Sequence, residues 1–379
     1  MNSGAVLTID FAALAANYRR IRAQVAPAAV AGVVKADGYG LGAIEVARTL
    51  MREGCEHLFV ALVGEASALI PALDGPASVY VLNGLLPGQE DECLAAGAIP
   101  VLNSLDQAQR WAATAARANR RLPAVVQVDT GMARMGMETW EIDAFLADPT
   151  FAERLDLRLV MSHLACGDMP QNPSNAQQYA RMSALAERFA GVPVALDNSA
   201  GSFLPRGHFA MVRAGIAVYG GAPNDAPNPM APVVALTIPI AQLRTIPAGA
   251  GVGYGLTFHT ERETRIATIP MGYADGWPRC LGNTGSVFIA GTRVPIVGRV
   301  SMDSITLDVT DIAPEHLYPG APVEILGPHQ SIDDVARDAG TISYEILTQL
   351  SRRYHRIHLG LPEASTSGAS AATTRSPSA

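Results

Sequence analysis

The segment AGVVKADGYGLGA, residues 31–43, joins a short apolar run to a glycine-rich turn, and a lysine stands at the junction. The apolar run is typical of a buried strand, and a helical stretch follows the turn. Because burial disfavours the charged form of an amine, Lys35 at the end of such a strand has two interpretations. Either it surfaces where the strand leaves the core, or its amine is a nucleophile that forms a Schiff base with a carbonyl compound.

This strand, turn and helix form the first unit of a pattern that repeats to about residue 220. Helical stretches such as residues 41–54 and 174–191 end on Gly54 and Gly191, and glycine suits a helix end. The eight predicted strands span residues 30–35, 57–63, 78–82, 98–102, 124–129, 156–162, 193–197 and 211–218. Eight strands that alternate with helices favour an α/β fold, a closed (β/α)8 TIM-type barrel. An open doubly wound sheet is the alternative if one or two strands are wrong.

The sequence changes character at GGAPNDAPNPMAP, residues 220–232, which is rich in glycine and proline and is typical of a linker. β-type runs without long helices follow it, and residues 331–350 suggest one or two short helices. The last residues are mostly serine, alanine and threonine, a composition that favours disorder. We therefore predict a barrel over residues 1–225, a mainly antiparallel β-domain over 226–360 and a disordered tail over 361–379.

Composition narrows the functional class. Charged residues make up 17% of the chain, and such a low-charge surface favours burial of part of it in an oligomer. The net charge of −7 and the absence of a long basic run argue against a nucleic-acid partner. The N-terminus lacks the pattern of a secretory signal, and no apolar segment reaches the ~20 residues that span a bilayer. The four cysteines have no paired spacing. We expect a cytoplasmic protein without a membrane segment or disulfides.

Polar residues follow several of the predicted barrel strands, where the active site of such a barrel lies. These residues are Lys35, Arg134, His163, Asn198, Ser199 and Arg213. Any one of them suits an ordinary polar rim, but together they suit an anionic ligand that carries a carbonyl group. Pyridoxal 5′-phosphate (PLP) is such a ligand, since its aldehyde needs a lysine and its phosphate needs hydroxyl and N–H donors. The eight histidines show no metal-ligand spacing, so we predict no metal. No GxGxxG motif follows the first strand, which argues against a nicotinamide cofactor.

Seven motifs then identify a family. They are VVKADGYGLGA, VDTGMARMG, DNSAG, MVRAGIAVYG, GVGYG, PMGYADGWPR and GRVSMD, in this order. The chain resembles alanine racemases, PLP enzymes of fold type III, from about residue 5 to about residue 358. This resemblance implies PLP as cofactor, alanine as substrate and a supply of D-alanine for peptidoglycan. It also implies a barrel, a C-terminal β-domain and a head-to-tail homodimer whose active sites use residues of both chains.

The resemblance also assigns residue roles. Lys35 resembles the Schiff-base lysine and one of two catalytic bases, and Tyr254 of the partner subunit resembles the other. A tyrosine needs a nearby cation or donor to act as a base at neutral pH, and His163, with Arg213 behind it, is the expected source of that help. The remaining cofactor contacts would be Tyr39, Ser199, Gly215 and Ile216 at the phosphate, Arg134 at the phenolic oxygen, Arg213 at the pyridine nitrogen, and Asn198. Substrate contacts would be Arg134, the entrance residue Tyr273, and Met302 and Asp303 near the carboxylate, from the partner.

The match of Arg213 to the pyridine-facing residue favours racemisation over transamination. Arginine only donates hydrogen bonds and keeps its proton, so it does not hand the ring nitrogen a full proton. The ring is then a weaker electron sink than a carboxylate partner would make it. Less negative charge would reach the cofactor carbon, which suppresses transamination.

The sequence departs from the family at Gln127, where many members have a lysine whose carbamate orients the neighbouring arginine. An amide has no such charge, so we expect either a contact between Gln127 and Arg134 or a bound anion such as chloride nearby. Ser301 replaces a cysteine, which we interpret as a tolerated variant.

Three alternatives stay open: a serine or broad-specificity racemase, a PLP-binding protein without turnover, and a decarboxylase. The β-domain and Tyr254 argue against the second, and Ser301 with GYGLT against the third. One methylene in a pocket is worth only about 1–3 kcal/mol, so the sequence leaves substrate breadth open.

Overall fold

The computed structural model describes residues 4–361, so residues 362–379 of the predicted tail lie outside the described residues. The chain begins with strand β1 (Val6–Asp10) and helix α1 (Phe11–Val25). Asp10 caps this helix, since its Oδ1 accepts hydrogen bonds from the backbone N–H groups of Ala12 and Ala13, both at 2.9 Å. The cap satisfies two N–H groups that have no partner inside the helix.

Eight parallel strands then close into a barrel, which confirms the predicted fold and excludes the open sheet. They are β2 (Ala29–Val33), β3 (His57–Val60), β4 (Ser78–Val81), β5 (Ile99–Leu102), β6 (Leu122–Gln127), β7 (Leu155–Met161), β8 (Val194–Ala195) and β9 (Met211–Ala214). Most of their residues are buried, as expected for strands covered on both faces. The predicted strands 30–35, 193–197 and 211–218 were too long at their C-terminal ends, because those residues form the loops of the rim.

Helices surround the barrel. They are α2 (Lys35–Tyr39), α3 (Ala43–Arg52), α4 (Val63–Leu69), α5 (Glu90–Ala96), α6 (Leu105–Arg117), α7 (Thr139–Ala147), α8 (Pro149–Arg154) and α9 (Ser174–Arg188). The element α2 is exceptional, because Ala36, Asp37 and Gly38 inside it have left-handed backbone angles. Gly54 and Gly191 follow α3 and α9 with positive φ angles of 87° and 82°, as the sequence predicted for helix ends.

The C-terminal part is built mainly of antiparallel strands. They are β10 (Val234–Pro239), β11 (Gln242–Ile246), β12 (Gly251–Val252), β13 (Phe258–His259), β14 (Thr264–Ile269), β15 (Ser286–Ile289), β16 (Thr292–Pro295), β17 (Ile305–Asp308), β18 (Pro322–Leu326) and β19 (His355–Leu359). The largest sheet has the order β16-β15-β18-β10-β1-β19, and β11-β14-β17 and β12-β13 form two smaller sheets. The two short predicted helices are α10 (Ile332–Ala339) and α11 (Ser343–Gln349).

Strand β1 belongs to this C-terminal sheet, where it pairs antiparallel with β10 and parallel with β19. Leu7 and Ile9 are fully buried there. The chain therefore contributes its first strand to the C-terminal sheet before it enters the barrel, and the predicted domain limits stay a prediction. No helix within residues 4–361 is long and apolar enough to cross a membrane.

Candidate active site

The structure brings together the rim residues that the strand ends predicted. Lys35 lies two residues after β2, His163 two residues after β7, Asn198 follows β8, and Arg213 lies within β9. Nη2 of Arg213 lies 3.2 Å from Nδ1 of His163, and Nδ2 of Asn198 lies 3.4 Å from Nε2 of the same ring. The charges of Arg134 and Lys35 both act on His163, so these two side chains face the same site.

A strained turn directly follows Lys35 in the chain. Ala36, Asp37 and Tyr39 have φ angles of 53°, 54° and 55°, with Gly38 at 62° between them. A left-handed conformation costs a non-glycine residue roughly 1–2 kcal/mol, so the surrounding contacts must stabilise this run. The turn directs Tyr39 back into the barrel, where it is 5% exposed and stacks on Tyr219 with ring centroids 4.4 Å apart.

The Lys35 amine is prepared to act as a nucleophile or base. Burial and the positive charge of Arg134 lower the pKa of Lys35, whereas the carboxylate of Glu65 acts in the opposite direction. A lowered pKa increases the fraction of neutral amine near pH 7. Of the two interpretations of this lysine, the structure therefore favours the reactive one over a side chain that simply surfaces.

Arg213 is buried and lies directly beside His163. Its Nη2 donates to the carbonyl oxygens of Ser162 at 2.6 Å and Leu196 at 3.2 Å, and it also faces Nδ1 of His163. A guanidinium and an amide nitrogen only donate, so donors face both ring nitrogens of His163, Arg213 at Nδ1 and Asn198 at Nε2. Burial, together with Arg213, Arg134 and Lys35, lowers the pKa of His163 to about 3. Of the two kinds of help expected from His163, a cation or a donor, a pKa this low leaves the donor, because the ring is neutral at neutral pH.

Two features of this rim fit PLP. Nη1 of Arg213 is buried and has no hydrogen-bond partner among the described residues, so it is free to donate to a ring nitrogen. Ser199 Oγ accepts from the backbone N–H groups of Gly215 at 2.8 Å and Ala217 at 3.3 Å, which leaves its hydroxyl proton to donate to a phosphate.

Gly215 lies beside Ser199 and Tyr39, and these three residues form a group suited to a phosphate, which we call the phosphate cradle. A Cβ atom there would collide with the hydroxyl of Tyr39 and lie 3.8 Å from Oγ of Ser199, so these three predicted residues meet at one point. Ile216 follows in the same turn and is buried. The close approach of the backbone is possible because Gly215 carries no side chain.

The other four predicted residues lie on the C-terminal part and are exposed. Tyr254 lies on a short 3-10 turn with 72% of its surface exposed, and Met302 is 54% exposed. Backbone hydrogen bonds of 3.0 Å join Tyr273 to Ser301 and Ala274 to Met302, so the GYADG and GRVSMD motifs form one surface. Asp303 pairs with Arg353 at 2.8 Å. Within residues 4–361, no hydrogen bond or ion pair links Tyr254, Tyr273, Met302 or Asp303 to the barrel rim.

Within residues 4–361, no hydrogen bond joins Gln127 to Arg134, although one of our two expectations required a contact between them. Nε2 of Gln127 donates to the carbonyl oxygen of Met135 at 3.2 Å. Gln127 is buried at the end of β6, whereas Arg134 is exposed after a turn that Ala133 enters with a φ of 54°. The bound anion is therefore the remaining expectation.

Sequence reasoning missed two residues at this rim. Glu65 accepts a 2.7 Å hydrogen bond from the N–H of Ala36, directly after Lys35. Tyr344 on α11 places its ring 5.9 Å from that of Tyr39, so the C-terminal part covers the cradle. Glu65 could have been noticed as an acidic residue in the first turn of a predicted helix. No feature of the sequence pointed to Tyr344 as a site residue, because its position depends on how α11 packs on the barrel.

Comparisons with known proteins agree with this geometry. The family models described as "Alanine racemase, N-terminal domain" and "Alanine racemase, C-terminal domain" match residues 9–223 and 233–358. A protein of Rhizobium johnstonii named "Alanine racemase, catabolic" is 52% identical, with 92% of this chain and 93% of that protein covered. A Brucella canis protein named "Alanine racemase" is 48% identical over 96% of each chain.

Solved structures show the same likeness. The alanine racemase of Bartonella henselae, solved with covalently bound pyridoxal phosphate, superposes with a TM-score of 0.90 at 40% identity, covering 94% of this chain and 99% of that one. The biosynthetic alanine racemase of Pseudomonas aeruginosa superposes with a TM-score of 0.87 at 32% identity, covering 94% and 99%. With both family domains matched in order and the rim residues assembled around Lys35, the chain belongs to the alanine racemase family.

Proposed function

We propose that this protein is a PLP-dependent racemase that interconverts L-alanine and D-alanine. The observation that carries this proposal is the half-buried Lys35 side chain on the same rim as the unpartnered Nη1 of Arg213. The Ser199–Gly215–Tyr39 cradle supports it, since it supplies the donors that a phosphate needs. The bound pyridoxal phosphate of the Bartonella henselae relative supports the same cofactor here.

The residues divide into those that hold the cofactor and those that move protons. Lys35 would attach PLP, Arg213 would donate to its ring nitrogen, and Ser199 with Tyr39 would bind its phosphate. Asn198 and Ile216 flank these groups in the same loops. When bound, PLP withdraws electrons from the substrate and so acidifies its α-hydrogen. Arg213 keeps its own proton there, because burial lowers its pKa only to about 10.

Racemisation requires a proton to leave one face of the α-carbon and another to arrive at the opposite face. Lys35 Nζ would serve one face, since its lowered pKa lets it accept a proton near pH 7. Tyr254 of the partner subunit would serve the other with its phenolic Oη. The N–H of the neutral His163 ring would donate to that oxygen and so favour its ionised form.

The exposure of the second base supports a homodimer with shared active sites. Tyr254 is 72% exposed, and Leu256, Tyr273 and Met302 on the same part of the protein are also exposed apolar residues. A second copy that covered this surface would bring Tyr254 to the rim. Met302 and Asp303 would then lie near the substrate carboxylate, and the pairing of Asp303 with Arg353 would reduce its repulsion of that group.

We further propose that an anion, for example chloride, binds near Gln127 and Arg134. Arg134 has no hydrogen bond or ion pair to another side chain within residues 4–361, and Gln127 donates elsewhere. Crystals of the PLP-loaded protein soaked in bromide test this proposal. An anomalous peak in contact with Arg134 supports it, and an empty map at that position contradicts it.

Chiral analysis of the PLP-loaded protein, incubated separately with L-alanine and L-serine in D₂O, tests the proposed reaction. Fast formation of deuterated D-alanine, with serine much slower, is the expected result. Comparable rates on both amino acids would indicate a broad-specificity racemase. No exchange on either, with PLP bound, would refute the racemase proposal and favour a binding protein.

The physiological direction can be tested separately. We infer that the protein supplies D-alanine for peptidoglycan in the cytoplasm, whereas the Rhizobium johnstonii relative is named catabolic. Deletion in the native cell distinguishes the two roles. A requirement for added D-alanine supports supply, and loss of growth on alanine alone indicates catabolism.

A further inference from the structure

Glu65 makes contacts that none of the roles above explains. It lies in the first turn of α4, the helix that follows β3. Its Oε2 accepts from the backbone N–H groups of Ala61 at 2.7 Å and Leu62 at 3.1 Å, just beyond β3. Its Oε1 accepts from the N–H of Ala36 at 2.7 Å, just beyond β2. One carboxylate therefore ties together the ends of two neighbouring barrel strands.

The Ala36 bond matters because of where it lies in the left-handed turn. Two later N–H groups of this turn have partners in the local backbone, since Gly38 donates to Val34 O at 2.9 Å and Gly40 to Ala36 O at 2.8 Å. The N–H of Ala36, the first strained residue, instead donates to Glu65. A strained backbone persists only where its surroundings hold it. Glu65 thus stabilises the point at which the chain turns after Lys35.

The charge of Glu65 also acts on the same lysine. Arg134 and Glu65 are the charged groups that act on the Lys35 amine, with opposite effects, and neutral His163 lies on the same rim. Arg213 adds a further positive charge beside His163. The Glu65 carboxylate is therefore the negative counterpart within a cluster of cations.

We propose that Glu65 is a positioning residue of this active site, which fixes Lys35 by holding the left-handed turn and balances the positive charge around its amine. The proposal rests on the proposed function for its catalytic meaning. Its structural part concerns the Ala36–Tyr39 turn alone and is testable without PLP or substrate.

The chain offers a matched control in Glu141. This residue also lies in the first turn of a helix, α7. Its Oε1 accepts from the N–H of Leu105 at 2.9 Å, and its Oε2 accepts from the N–H of Glu138 at 3.0 Å. Glu65→Gln and Glu141→Gln therefore disturb the same kind of cap, one beside Lys35 and one away from it.

Three readouts on the full-length protein test the proposal. Hydrogen exchange of the cofactor-free protein should speed up in the peptide that covers residues 35–40 in Glu65→Gln but not in Glu141→Gln. The dissociation constant for PLP should rise about tenfold in Glu65→Gln alone. The rate of PLP attachment should follow deprotonation of Lys35, and its pH midpoint should move about one unit lower in Glu65→Gln, because the counter-charge is gone.

Glu65→Asp separates the two parts of the role, and it also serves if Glu65→Gln does not fold. Aspartate keeps the charge but is one methylene shorter. Hydrogen exchange of residues 35–40 should therefore still speed up, while the pH midpoint of PLP attachment should move less than in Glu65→Gln. The proposal would be overturned if Glu65→Gln and Glu141→Gln showed the same hydrogen exchange in residues 35–40 and the same pH midpoint for PLP attachment. A wild-type protein that binds no PLP would instead refute the proposed function, and the exchange data would still test the turn.

Discussion

Replacing Gly215 by alanine should weaken PLP binding through a single steric contact. The added Cβ would collide with Tyr39 Oη and lie 3.2 Å from Cζ of that ring. Ordinary contacts need about 3.5–4.0 Å, so the ring must move by about 1 Å. Gly215 does not have a positive φ angle, so alanine fits the backbone itself. The whole effect should therefore come from displacement of Tyr39.

Tyr39 has little room to move. It is 5% exposed and stacks on Tyr219, whose hydroxyl is held by a 2.9 Å hydrogen bond to the carbonyl oxygen of Val33. Overpacking a buried site of this kind costs about 1–3 kcal/mol. If the free energy of PLP binding is reduced by this amount, the dissociation constant for PLP should rise roughly 5- to 150-fold. Equilibrium dialysis against PLP measures this change directly.

A double mutant tests the cause. Tyr39→Phe removes the colliding hydroxyl, so Gly215→Ala should weaken PLP binding much less in the Tyr39→Phe background. Gly64→Ala is the control, since a Cβ there would meet nothing within 4 Å and PLP binding should not change. An equal loss from Gly215→Ala in both backgrounds, or no loss in either, would refute the steric explanation.

Three further substitutions test the assigned roles. Lys35→Ala should abolish the visible absorbance of the bound cofactor and reduce racemisation to background, and a residual rate above 1% of wild type would contradict its role. Tyr254→Phe should keep PLP bound but slow at least one direction about 100-fold or more, as chiral chromatography from each enantiomer would show; two normal directions would contradict the two-base assignment. His163→Asn should flatten the dependence of stability on pH. The unfolded chain takes up this proton near pH 6.5 and the folded protein only near pH 3, so the wild type should lose unfolding free energy as the pH falls through that window. Urea denaturation at pH 7 and pH 5 measures the difference, and parallel losses in both proteins would contradict the burial of a neutral ring.

The barrel could be predicted from the sequence because each strand is a short apolar run bounded by helix and turn signals. The candidate site residues could be predicted from the same strands, since active sites of such barrels lie at the C-terminal strand ends. The position of β1 could not be predicted in this way. Its alternating pattern indicates a half-buried strand, but its pairing with β10 and β19 depends on residues more than two hundred positions away.

The electrostatics of the site were harder to predict than its members. The sequence placed His163 beside Arg213, yet whether the ring is charged or neutral at pH 7 depends on burial and on three nearby cations. Gln127 was recognised as a departure from the family, but its partner, the carbonyl oxygen of Met135, follows from the backbone path after β6. Glu65 shows the same limit, because its contact with Ala36 joins two strand ends that the sequence separates by 29 positions.

The central claim is that two chains complete each active site, and a mixed dimer tests it most directly. Lys35→Ala and Tyr254→Phe chains carrying different affinity tags can be co-expressed and the heterodimers isolated by both tags. If Tyr254 acts across the interface, one site of each heterodimer regains both bases. The direction that Tyr254→Phe slows should then recover to about half of the wild-type rate per dimer. A heterodimer as slow as the Tyr254→Phe homodimer in that direction would contradict the claim.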